Sequence, residues 1–125
     1  MYIDNKNSQS LILLTYKGKV LLMYKMDSPI DDEKHPWCFI SVVREKKEPF
    51  EYALSRKVEN EMGIKIDNVE FVSECCYHAR LTDDNVNQIK RTEGKLLDFF
   101  TLKEIRKLRL SEPTKEYVTK HAHLM

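Results

Sequence analysis

The chain has 125 residues, 42% of them hydrophobic and 33% charged, with 21 basic side chains against 20 acidic ones. This length suits one domain and this balance suits a folded globular protein, which excludes a disordered or membrane-embedded chain. The near-zero net charge gives no general grip on nucleic acid, the longest apolar run (residues 11–14) is far too short for a membrane span, and Met1-Tyr2-Ile3-Asp4-Asn5 lacks a signal-type apolar core, so a cytoplasmic protein is expected.

Residues 10–16 are short and apolar, Lys17-Gly18-Lys19 is a turn signal and residues 20–25 follow, a pattern that predicts a β-hairpin. The two runs are too continuous for a half-exposed sheet. Residues 27–36, with two prolines and a cluster of acids, read as a loop, and residues 37–43 as a strand. A helix is predicted from Glu48-Pro49 to Met62, with Gly63 placed to stop it; Leu54, Val58 and Met62 recur every four residues and Ala53 widens the inward stripe. Gly63 then leads into a strand around Ile64, and residues 69–78 read as one long strand.

Thr82-Asp83-Asp84-Asn85 marks residues 81–85 as a loop, and residues 95–101 read as a further strand. Thr101 is a cap for a short helix over 102–108, and a second helix runs from 113 to 123 behind Ser111-Glu112. Strands, one long helix, strands and then helices predict a single α/β sandwich over residues 1–125 with a mixed sheet.

Cys38, Cys75 and Cys76 are odd in number and lack CxxC spacing, so they read as buried thiols rather than a disulfide framework or zinc site. Four histidines are scattered, and His121 and His123 are expected to splay across a helix rather than converge on a metal. Three glycines, Gly18, Gly63 and Gly94, cannot build a P-loop or GxGxxG, and no GxSxG elbow is present.

What remains is the helix. Arg56-Lys57-Val58-Glu59-Asn60-Glu61-Met62-Gly63-Ile64 resembles the second half of the Nudix box, whose pattern is G-x5-E-x7-R-E-U-x-E-E-x-G-U, with U a bulky aliphatic. Glu48 falls at the first acidic position, with seven residues between it and Arg56. An apolar Leu21-Leu22-Met23 strand, Trp37-Cys38-Phe39 before the box, and Glu93-Gly94 followed by Asp98-Phe99-Phe100 after it extend the resemblance over roughly residues 10–110. The resemblance implies a Nudix-like (MutT-like) α/β/α sandwich. It further implies a hydrolase of a nucleoside diphosphate linked to another moiety, dependent on magnesium or manganese.

Carried over residue by residue, the resemblance assigns Glu61, Arg56 and Glu48 to catalysis, Glu61, Glu48 and Glu93 to the metal, and Lys57 and Glu93 to substrate. The expected partner is a small nucleotide or other diphosphate, with no membrane or nucleic acid; a homodimer is possible. The box is degenerate, however. Ile40-Ser41-Val42 stands where the family has a proline-glycine-glycine approach, Lys57 where it has the glutamate after arginine, and Asn60 where it has the first glutamate of the pair. Positions 57, 60 and 61 share one helical face, so that face carries a cation, an amide and one carboxylate, which predicts weak metal binding and low or altered activity. Glu59, about 200° round the helix from Lys57, is expected to face away. The alternative is an inactive module of the same fold that binds a nucleotide or a protein partner.

Overall fold

The computed structural model describes residues 9–25, 36–43, 48–91 and 95–125. Among these residues, six strands form one mixed sheet: β1 (Gln9–Tyr16), β2 (Lys19–Lys25), β3 (Ile40–Val43), β4 (Glu70–Ser73), β5 (Cys76–Arg80) and β6 (Lys95–Phe100). The strand order is β4-β5-β1-β2-β6, with β3 paired to β1 off that path. β1 is central: its first half pairs antiparallel with β3 and its last residues with β2, while β5 runs parallel along its other edge. The predicted hairpin forms, and Lys17 and Gly18 both take positive φ at its two-residue turn, as a twist-matched hairpin requires.

The continuous apolar character of β1 follows from burial on both faces. Ile12 and Leu14 face a layer made by helix α1 (Phe50–Met62), through Leu54, Val58 and Met62. Leu11 and Leu13 face the opposite layer, where α3 (Leu102–Ile105) and α4 (Glu112–His121) contribute Ile105, Tyr117 and Val118. Helices on both faces of a mixed sheet give the expected α/β/α sandwich.

Helix α1 starts one residue later than its sequence signal, with extended Pro49 at the N-cap, and ends where expected. Gly63 sits at φ 73° and its N–H donates to the Glu59 carbonyl at 2.8 Å, the left-handed cap that only glycine adopts freely. A Cβ there would also stand 2.8 Å from Cδ of Lys90. Gly63→Ala is therefore expected to lower the unfolding free energy by about 1–2 kcal/mol in urea titrations; a loss of only a few tenths would contradict this account of the cap.

Several elements differ from their sequence reading. Residues 37–43 are not one strand: Cys38 makes an isolated bridge to Met23, Trp37 one to Leu110, and the Phe39 N–H leaves the ladder to donate to Thr114 Oγ1 at 3.0 Å. No strand forms around Ile64; Ile64 and Ile66 alternate into the core beneath α1, but among the described residues this stretch has no ladder partner. The long strand over 69–78 is a hairpin instead, folded at Glu74-Cys75 with Cys75 at φ 66°. The loop over 81–85 contains the start of helix α2 (Asp83–Gln88), because the Thr82 hydroxyl accepts from the Asn85 N–H and the Asn85 side chain accepts from the Thr82 N–H.

The short helix after Thr101 ends at Ile105 rather than 108, and α4 gives way to a 3₁₀ turn over Ala122–Leu124. That turn brings the His121 and His123 rings to 5.8 Å instead of splaying them, with His121 Nε2 2.9 Å from the Ser73 hydroxyl. Cys76 is buried, and Cys38 and Cys75 are half-buried. The loop assigned to residues 27–36 lies, but for Pro36, outside the described residues. Among the described residues, no helix is long and apolar enough to cross a membrane.

Candidate functional site

The inward stripe of α1 is continued on one flank by Lys57 and Glu61, one helical turn apart, and this flank faces the start of β6. Glu61 is 8% exposed, an unusual burial for a glutamate, and it is held by two cations. Lys57 Nζ lies 3.2 Å from Glu61 Oε2, and Lys95 donates to Oε1 from across the gap between helix and sheet. The lysines keep side-chain exposures of 38% and 26%. The carboxylate is thus roofed by ammonium groups that themselves reach solvent.

This arrangement fixes the protonation of the site. Burial by itself pushes the Glu61 carboxyl up, but the hydrogen bonds and charges of Lys95 and Lys57 outweigh it and hold the group below its ordinary value. A carboxyl depressed in the folded state stabilises the fold above the unfolded-chain value of about 4.3, and that stability is lost as pH falls through the lower folded value. Urea titrations between pH 3 and 7 are expected to show wild-type stability falling below about pH 4.3 more steeply than in Glu61→Gln. Parallel curves would contradict the ion cluster.

Arg56 and Glu48 form a separate pair. Nη1 and Nη2 of Arg56 each donate to one carboxylate oxygen of Glu48 at 2.9 Å, the fork-to-carboxylate geometry in which a planar guanidinium excels. Glu48, just before the helix, is thereby tied to its second turn. Glu59 is exposed on the far side of α1, as its helical angle predicts.

The structure therefore brings Lys57 to Glu61, brings Arg56 to Glu48, and adds Lys95, which was not singled out from the sequence. Glu93 lies outside the described residues. The signal for Lys95 was available: two residues before Leu97, it shares that strand face, and Leu97 packs in the α1 layer. Neighbouring Arg91 donates to the Leu97 carbonyl, and the Lys90 N–H to the Met62 carbonyl at 2.9 Å, so this basic stretch is anchored to β6 and to the end of α1.

Among the described residues, no group of three or more histidine, cysteine, aspartate or glutamate side chains is placed to hold a metal ion. Among the described residues, the donors around Glu61 do not fit a divalent cation. Both carboxylate oxygens already meet ammonium groups, and each ammonium would repel a divalent ion by roughly 2 kcal/mol at contact distance even in water-like dielectric. The same cluster suits an anion. One carboxylate against two lysines leaves net positive charge, and each ammonium has three N–H donors, of which the contact with Glu61 uses one.

No protein-family model matches the chain, and no curated protein matches its sequence. Its fold does match solved structures. A MutT structure from work on Aliivibrio salmonicida and Vibrio cholerae superposes with a TM-score of 0.66 at 16% identity, covering 90% of this chain and 93% of that one. The MutT NUDIX hydrolase from Burkholderia pseudomallei gives 0.65 at 16% identity, over 90% and 95% of the two chains. The NUDIX domain of Shewanella oneidensis NrtR, complexed with ADP ribose, gives 0.66 at 13% identity over 94% and 87%. Together with the helix position, the sheet order and the two outer layers, these superpositions establish that the chain has the Nudix fold.

Proposed function

We propose that this protein is a Nudix-fold binding module that takes a nucleotide-type phosphate ester on the lysine pair Lys57 and Lys95, without a divalent metal at Glu61. The observation that carries this is the buried Glu61 held between two solvent-reaching ammonium groups. In this reading Glu61 orients the two lysines, and their remaining N–H donors face the phosphate oxygens. Arg56 and Glu48 brace the start of the helix that carries Lys57. ADP-ribose is the first probe to use, because a protein of the same fold is seen with it bound.

The second reading, a weak or altered hydrolase of nucleoside diphosphate derivatives, is favoured by the hydrolases among the fold neighbours and by the register of Glu48, Arg56, Glu61 and Gly63. The two readings separate in one experiment. ADP-ribose and a nucleoside diphosphate panel are incubated with the protein in magnesium or manganese, and products are followed by chromatography. A binding module leaves every compound intact while retaining ADP-ribose at equilibrium. Turnover that disappears in Glu61→Gln would overturn the module and establish the hydrolase.

A further inference from the structure

The layer opposite α1 carries an opening of its own. Between α3 and α4 lies a half-open cleft of about 650 Å³, large enough to seat a small organic molecule. Its apolar lining comes from Leu108, Leu110, Val118 and Ala122. The wall that holds Leu110 is fixed: the Trp37 N–H donates to the Arg109 carbonyl at 2.8 Å, and the Ser111 N–H returns a bond to the Trp37 carbonyl at 3.0 Å. Val118 belongs to the core of this layer, so the other wall is equally set by packing. The cleft is preformed rather than a gap between loose segments.

Its rim is charged in one sense. Arg106, Arg109 and Lys115 stand around the opening against the single carboxylate of Glu112, and all three cations are exposed. Among the described residues, none of the three takes part in an ion pair. An apolar strip of Leu108, Leu110 and Val118 within a cleft rimmed by cations is complementary to a molecule with an apolar body and an acidic head.

We propose that the α3–α4 cleft is a second binding site, for a small amphipathic anion: an aliphatic or aromatic body buried against Leu108, Leu110 and Val118, with a carboxylate or sulfonate held by Arg106 and Arg109. It is separate from the Lys57 and Lys95 site and does not depend on it.

The test uses the whole chain and 1-anilinonaphthalene-8-sulfonate, whose fluorescence reports entry into an apolar site, with decanoate and decanol as competitors. Decanoate is expected to displace the dye at a concentration about tenfold lower than decanol, and Arg106→Gln with Arg109→Gln to weaken dye binding about tenfold. The same variant should hold ADP-ribose as wild type does, and Lys57→Gln should leave dye binding unchanged. Equal potency of decanoate and decanol, or an Arg106, Arg109 variant that binds dye as wild type, would overturn the proposal.

Discussion

Neutralising the lysine pair is expected to weaken ADP-ribose binding at least about 100-fold, since each charge-assisted hydrogen bond to a phosphate is worth roughly 1.5–3 kcal/mol. The variant needs care. Replacing Lys57 and Lys95 alone would leave Glu61, at 8% exposure, as a buried carboxylate without its cations, and the loss of binding would be confounded with loss of fold. The triple substitution Lys57→Gln, Lys95→Gln, Glu61→Gln keeps the side-chain lengths close and lets three amides bond to one another. Its thermal midpoint should stay within a few degrees of wild type while calorimetric affinity collapses. Retained affinity, within about threefold of wild type, would mean that the lysines are not the anion contacts.

The second large effect is on stability. Leu54→Ala is expected to cost about 2–5 kcal/mol, because Leu54 is fully buried between α1 and the sheet and its removal leaves a cavity that Val58, Met62 and Ile12 cannot all close. Urea denaturation measures this directly. The functional consequence is local: Leu54 and Val58 seat the helix that sets Lys57 and Glu61 opposite Lys95, so the variant should lose ADP-ribose affinity even in the fraction that remains folded. A cost below about 1 kcal/mol would show that α1 is seated by something other than this stripe.

The parts legible in the sequence are those governed by local physics. Helix α1 could be read because Leu54, Val58 and Met62 repeat at the helical period and Gly63 supplies the left-handed cap; the first hairpin, because Lys17-Gly18 tolerates positive φ. The break at Glu74-Cys75 was hidden because a cysteine, not a glycine or asparagine, takes the left-handed position there, and apolar residues run through it on both sides. Helix α2 was hidden because its capping box closes on Asn85 where the usual partner is glutamate or glutamine. Residues 37–43 looked like one strand because their side chains suit a strand. Their bonding is decided by partners 15 to 75 residues away, namely Met23, Leu110 and Thr114.

The site divides the same way. Lys57 beside Glu61 is a one-turn helical pair and could be read from spacing alone. The register of the box assigned Arg56 and Glu48 to one site, but their bond to each other was not read from it. Lys95 approaches Glu61 from 34 positions further along the chain, and only the pairing of β6 with β2 determines where it starts. Yet Lys95 changes the chemistry most. With Lys57 alone the glutamate would have one oxygen left for another cation; with both lysines, the described part of the cleft favours an anion over a metal.

The most direct measurement is isothermal titration of ADP-ribose into the wild-type protein, once in excess magnesium and once in excess EDTA. Binding through Lys57 and Lys95 predicts the same dissociation constant in both, within about twofold, whereas a loss of tenfold or more on chelation would place a metal between protein and phosphate and contradict the account.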